Sequence, residues 1–241
     1  MAPPPETRAA GHPVVGALRT ALAAHGDPAT GRAQQAYMKS ALPFHGITAP
    51  ALRRLVREVA GSAPFPDSRA AWEAAIRELY DQAAYREERY AAELLAQDPR
   101  ARGWQDPETL PLYAHLIRTG AWWDHVDRVT TGSIAPILAA HRATVTPTMR
   151  SWALADDLWV RRAAILCQLP HRDATDTDLL AETIERNGAG TAYGQEFFVR
   201  KAIGWALRQY ARTDPGWVRA FVASHEDRLC GLSRREALKH L

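Results

Sequence analysis

The chain has 241 residues, of which 46% are hydrophobic, and carries 30 Lys and Arg against 27 Asp and Glu for a net charge of +3 and a pI near 9.0. That is enough apolar material for a sizeable core, which argues against a disordered chain, and the charge permits a polyanionic partner without requiring one. Cys167 and Cys230 are the only cysteines; neither sits in a CxxC pair, and no segment approaches the ~20 apolar residues of a membrane span, so disulfide frameworks, thiolate zinc sites and membrane insertion are all disfavoured.

From the N-terminus, the first thirteen residues lack both the basic start and the unbroken apolar run of a signal peptide. A soluble, cytoplasmic protein is expected, with residues 1–11 loosely ordered and the whole of 1–241 forming one domain. Apolar residues then recur every three or four positions, broken by short Pro, Gly or Asp punctuation, with no sustained two-residue alternation. This spacing predicts helices over 12–25, 31–42, 51–60, 68–82, 86–96, 107–118, 121–130, 133–141, 147–154, 157–169, 176–186, 193–212, 215–224 and 234–241. Asp67 and Asp106 read as helix caps, and Thr213-Asp214-Pro215 puts a proline at a first helical position.

The expected fold class is therefore all-α. Amphipathic helices of this length cannot each build a private core, so they must stack pairwise, which is the logic of an α-solenoid of helical hairpins. An ordinary helical bundle is the alternative.

Three segments carry chemistry. In Trp122-Trp123-Asp124-His125-Val126-Asp127, a helix puts Trp123 and Asp127 on one face, four apart, so that a π surface adjoins a carboxylate; that pairing suits a site that holds a cation. His125 lies only two residues from Asp127, diverges from it, and reads as a surface residue. In 157–169, Arg161 and Arg162 point about 100° apart, so at most one faces a functional surface. Arg162 and Trp159 could share such a face; for Arg162 an inward position with an anionic partner and a surface position are both open, and Trp159 reads as packing. In 193–212, Val199, Ala202, Ile203, Ala206, Leu207 and Tyr210 form an apolar arc, while Lys201, Trp205, Arg208 and Arg212 form a second stripe. An exposed indole among cations suits phosphates together with sugars or bases, or a protein interface. Only Lys39, Lys201 and Lys239 are lysines; arginine forks suit phosphate, although the bias of a GC-rich genome accounts for most of the excess.

Together with Tyr37-Met38-Lys39, Phe44-His45-Gly46-Ile47, the run from Trp159 to Leu166, the run from Glu196 to Trp205, and Leu232-Ser233-Arg234-Arg235-Glu236-Ala237, these segments resemble, in order and over nearly the whole chain, the DNA alkylation repair glycosylases of the AlkD family. The resemblance implies a right-handed superhelix of HEAT-like repeats. Its concave basic face cradles duplex DNA and releases cationic N3- and N7-alkylated purines. By motif, the active-site tryptophans fall on Trp123 and Trp205, the catalytic carboxylate on Asp127, a DNA-contacting arginine on Arg162, and a tyrosine near the lesion on Tyr37. Thr48 belongs to a loop that borders DNA in relatives, and Lys201, Arg208 and Arg212 are expected to contact DNA. His45 replaces an apolar residue of that loop's motif, and Ala49 stands where relatives carry Thr before proline.

The chemistry agrees with this set. An alkylated purine is already cationic and needs no general acid; what remains to be stabilised is an oxocarbenium-like sugar, a task one carboxylate and two indole faces can perform. A Schiff-base mechanism needs an amine nucleophile, and only Lys201 lies near, so monofunctional hydrolysis is expected. No cofactor is expected, and no metal, because the nine histidines are scattered. A monomer suffices for a concave DNA clamp. The rival from another class is a non-catalytic helical-repeat scaffold that binds DNA or protein. Whether the lesion is a methylated purine or a bulky natural-product adduct, as in antibiotic self-resistance, is not decided by these residues.

Overall fold

A computed structural model describes residues 11–241; the expectation of a loose terminus falls, except for Gly11, outside them. Every regular element in the described residues is helical. The α-helices are α1 (Pro13–Ala24), α2 (Pro28–Met38), α3 (Ala49–Ser62), α4 (Arg69–Asp81), α5 (Arg86–Ala96), α6 (Leu110–Gly120), α7 (Trp123–Val129) and α8 (Ala135–Ala140). They continue with α9 (Arg142–Trp152), α10 (Leu158–Leu166), α11 (Thr177–Glu185), α12 (Phe197–Tyr210), α13 (Pro215–Ser224) and α14 (Gly231–Ala237). Among the described residues no helix is long and apolar enough to cross a membrane. The described residues form two compact units, divided between Arg102 and Gly103.

In the first unit α1 packs on α3, α4 and α5, and α3 and α4 both pack on α5. The contacts of α1 with α3, α3 with α5 and α4 with α5, between helices one and two places apart in sequence, are those of stacked helical hairpins, and α1 reaches further, to α4 and α5. Asp27 starts α2 by accepting from the Thr30 N–H at 2.7 Å, so the helix begins at Pro28, ahead of the Gly31 start that spacing predicts. It ends at Met38 because Lys39 turns left-handed, with φ of 50°. Ser68, and not the expected Asp67, caps α4: its hydroxyl accepts from the Ala71 N–H.

The loop before α3 is organised by one buried carboxylate. Glu87 is fully buried, and it accepts hydrogen bonds from the backbone N–H groups of His45 and Gly46, at 2.9 Å each, and of Ile47 at 3.1 Å. Three donors converging on one carboxylate compensate the cost of burying its charge. Gly46 must be glycine here. Its φ is +95°, and a Cβ would lie 2.0 Å from the Asp27 carbonyl oxygen. His45 stacks on Tyr85, ring centroids 3.8 Å apart, so the imidazole has a partner of its own in place of an apolar contact.

In the second unit α10 is the hub, packed on α6, α7, α9, α11 and α12. α12 also packs on α13 and closely on α14. The expected apolar arc is the buried one: Val199, Ala202, Ile203, Ala206 and Leu207 are all in the core, joined by Ile165 and Leu166 of α10 and Val218 and Phe221 of α13. Burying such side chains contributes about 1.5–3 kcal/mol each for the larger ones, so this cluster fixes α12 firmly relative to α10.

Residues 123–140 form one rod and not two helices. Between α7 and α8 the backbone makes a π-turn, Thr130–Ile134, in which the Ala135 N–H reaches back to the Thr130 carbonyl. Pro136 supplies the reason, since proline has no N–H for the Gly132 carbonyl and its ring would clash with it in a regular helix. The Thr131 hydroxyl donates to the Asp127 carbonyl at 2.7 Å.

Candidate functional site

Trp122 stands in extended backbone and Trp123 opens α7, so the doublet splits: one indole projects before the helix and the other starts it. Asp127 follows one turn after Trp123. On α10, Asp157 caps the helix by accepting from the N–H groups of Trp159 and Val160, both at 2.9 Å, which fixes the phase that aims Arg162 at α7.

Arg162 and Asp127 form a two-pronged pair. Nε donates to Oδ1 at 2.8 Å and Nη2 to Oδ2 at 2.9 Å. The Arg162 side chain is 5% exposed and that of Asp127 14%. The remaining arm of the guanidinium, Nη1, donates to the Phe198 carbonyl in the first turn of α12 at 2.6 Å. One guanidinium thus ties α7, α10 and α12 together. Of the two positions left open for Arg162, the structure has the inward one with an anionic partner. Burial pushes the Asp127 carboxyl above its ordinary pKa, against the pull of Arg162, and Asp124 adds to the rise.

An aromatic cluster adjoins this pair through Phe198, whose ring centroid lies 6.0 Å from the Arg162 guanidinium carbon. Phe198 lies 5.4 Å from Trp122 and 5.0 Å from Trp159, centroid to centroid, and the two indoles are 6.0 Å apart. Phe197, 52% exposed, meets Phe198 edge to face at 5.3 Å. Trp159 is thus packing, as expected. Trp122 and Phe198 were legible only as halves of the doublets Trp122-Trp123 and Phe197-Phe198, with no spacing rule to say which half joins the cluster.

Phe198, Lys201, Trp205 and Arg208 are spaced three, four and three apart and share one stripe of α12. Trp205 is half-buried against the apolar cluster and not an exposed indole. The reason is that α14 covers the neighbouring face. Lys201 Nζ lies 3.2 Å from Glu236 Oε1, and Arg208 pairs with Oε2 of the same carboxylate. Arg212 is exposed just beyond the end of α12.

His125 corrects the sequence reading. It is fully buried, because α7 is packed on both α6 and α10 and has little free surface. Arg161 points away from Arg162 and is absorbed structurally: it donates to the carbonyls of Ala155, at 2.5 Å, and Leu154, at 3.1 Å, and to Asn187 Oδ1 at 3.2 Å. Tyr37 and Thr48 belong to the first unit, where both are exposed, Tyr37 by 77%; Thr48 heads α3 without a side-chain capping bond. Among the described residues no three His, Cys, Asp or Glu side chains gather as a metal-binding group.

A family model described as DNA alkylation repair enzyme matches residues 18–241. A solved structure described as a predicted DNA alkylation repair enzyme from Enterococcus faecalis is 32% identical to this chain. That match covers 90% of this chain and 96% of the other, with a TM-score of 0.77. No curated protein matches the chain.

Proposed function

Because the chain belongs to the DNA alkylation repair enzyme family, we propose that it is a monofunctional DNA glycosylase that hydrolyses the N-glycosidic bond of cationic N3- and N7-alkylated purines in duplex DNA. The observation that carries this reading is the Asp127–Arg162 pair. A permanently charged fork donates both prongs to one carboxylate, holding it ionised and immobile while one lone pair of each oxygen stays available. In the reaction the alkylated base leaves as a neutral purine, taking the bond pair, and positive charge moves onto the sugar. Asp127 faces that charge and orients the water whose oxygen bonds to the sugar carbon; the water's proton passes to solvent or to the carboxylate.

The magnitude is adequate. A carboxylate about 4 Å from an oxocarbenium centre in a partly dry site, at an effective dielectric near 20, is worth about 4 kcal/mol, or on the order of a thousandfold in rate. Trp123 and Trp205 are assigned to the sugar, where indole faces favour positive charge. Lys201, Arg208 and Arg212 are assigned to the backbone phosphates, with Tyr37 and Thr48 as further DNA contacts. Arg162 acts on the reaction through Asp127, since its three donating nitrogens are engaged within the protein. The protein acts as a monomer on double-stranded DNA in the cytoplasm and needs no cofactor.

The deciding experiment is release of free 7-methylguanine and 3-methyladenine from methylated duplex DNA by the wild type and by Asp127→Asn, with a bulky N3-adenine adduct as a second substrate. Release by the wild type alone supports the glycosylase and its carboxylate, and the relative rates rank general repair against excision of bulky adducts. Salt-sensitive DNA binding without release from any substrate would replace this reading with a non-catalytic DNA-binding scaffold.

A further inference from the structure

Two cations of the basic stripe of α12, Lys201 and Arg208, can meet a phosphate only in competition with a carboxylate that already spans them. Gly204 lies three residues after Lys201 and four before Arg208, so it sits between them on the side facing α14. A Cβ on Gly204 would come within 2.5 Å of the Glu236 Cβ, which places the stem of Glu236 directly over this gap. From there its two oxygens reach in opposite directions, Oε1 to Lys201 and Oε2 to Arg208. The position is built and not incidental. Ser233, one turn earlier on α14, is buried and donates to the Arg200 carbonyl of α12 at 2.8 Å, which locks the register of the two helices. The Glu236 side chain itself remains 20% exposed, so the three-group cluster opens to solvent.

We propose that Glu236 is an internal competitor for DNA phosphate, a carboxylate that occupies the place of a phosphate between Lys201 and Arg208 and so lowers the affinity of this face for undamaged backbone. The inference rests on the DNA glycosylase reading. Two cations bridged by one carboxylate present one net positive charge where two would otherwise stand, so the site neutralises about one phosphate fewer and releases correspondingly fewer counterions. A phosphate that does dock must displace or tolerate Glu236. The hydrogen bond from Lys201, followed by the attraction of Lys201, Arg208 and Lys239, holds the Glu236 carboxyl below its ordinary pKa, so the competitor stays charged across physiological pH. A glycosylase searches a large excess of undamaged sites, and weaker sequence-independent attachment shortens each stop.

The test is binding of undamaged duplex DNA to wild type and Glu236→Gln over a range of salt concentrations. Glutamine keeps the stem that packs on Gly204 and removes the charge alone. The expected result is a gain in affinity of roughly three- to tenfold at about 0.1 M salt, with a steeper log–log salt slope by about 0.9. A purely structural carboxylate would give lower affinity, because unpinned cations lose their geometry; lower or unchanged affinity with an unchanged slope overturns the proposal. Lys201→Gln, alone and together with Arg208→Gln, supplies a second arm, valid even if Glu236→Gln melts early. Losing one cation takes the cluster from one net positive charge to none, so the single variant should lose about one unit of slope and the double variant no more, because Glu236 already neutralises the remaining cation; a second unit lost in the double variant refutes the proposal. Base release by the wild type is measured in parallel. Its absence would sink the glycosylase reading, whereas release with an unmoved slope would sink the competitor alone.

Discussion

Arg162 spends its fork on Asp127 and its last arm on the backbone of Phe198, so a single side chain of α10 anchors the carboxylate of α7 to the backbone of α12. In Asp127→Asn the amide offers one acceptor oxygen and turns an N–H group toward a cation that has nothing to accept it with. Base release should fall by about 10²–10³ or more, in line with the loss of one preorganised electrostatic group. DNA affinity should change by no more than a few-fold. Single-turnover release assays beside binding isotherms check both halves, and near-wild-type release would remove Asp127 from its assigned role.

Replacing Arg162 should move a pH profile. Burial and Asp124 raise the Asp127 pKa, and Arg162 is what lowers it. The proposed reaction needs the carboxylate form, so activity is expected to rise with pH through the Asp127 pKa. Deleting the only lowering influence must shift the acid limb upward. Arg162→Gln should therefore lose far more activity at about pH 5 than at pH 8, with Arg162→Lys, a charge without the fork, in between. Release rates across that range would expose the shift; parallel profiles would refute it.

Arg212 and Arg208 should differ although both belong to the same stripe. Arg212 is exposed, whereas Arg208 shares Glu236 with Lys201. Arg212→Gln should cut the salt slope of duplex binding by about one in the wild type and in Lys201→Gln alike, whereas Arg208→Gln should cut it in the wild type alone, because in Lys201→Gln the carboxylate already neutralises Arg208. The difference is read from affinities at several salt concentrations, and equal losses in the Lys201→Gln background would contradict it.

Gly46→Ala tests the buried carboxylate of the first unit. The new methyl group would collide with the Asp27 carbonyl at a φ of +95°, and the backbone shift would pull Gly46 away from Glu87. A cost of about 2 kcal/mol or more is expected, roughly 4–8 °C in Tm for a protein of this size. Thermal melting measures it directly, and an unchanged midpoint would mean that the loop yields freely.

Much of this architecture was readable because helix spacing and core burial obey the same period. The arc from Val199 to Leu207 is buried as spacing requires, and Asp214 caps α13 through the Trp217 N–H with Pro215 next. Failures occurred where a residue's partner lies far away in sequence. His125 is polar and two residues from Asp127, but the α6 and α10 contacts that bury it are invisible locally. Trp205 looked exposed because α14, which covers its neighbourhood, was expected to start at residue 234 and begins at Gly231. Pro147 misled in the opposite sense: it was read as a helix start, yet it lies inside α9. The Asp127–Arg162 geometry spans 35 residues of chain, and periodicity could say only that both arms were available.

The π-turn at Thr130–Ile134 makes the site sensitive to chain length in a way that no substitution would reveal. Relative to a regular helix it holds one surplus residue, so its five residues turn the chain about as far as four would in ordinary winding. Removing one would keep the phase of α7 and α8 but force Pro136 into a regular helix, where its ring clashes with the carbonyl four residues back. Because Ile137 and Leu138 hold α8 in the core, the resulting kink would displace the α7 end and draw Asp127 away from Arg162. A one-residue deletion among 130–134 thus amounts to a lesion of the candidate site that leaves every side chain of that site intact.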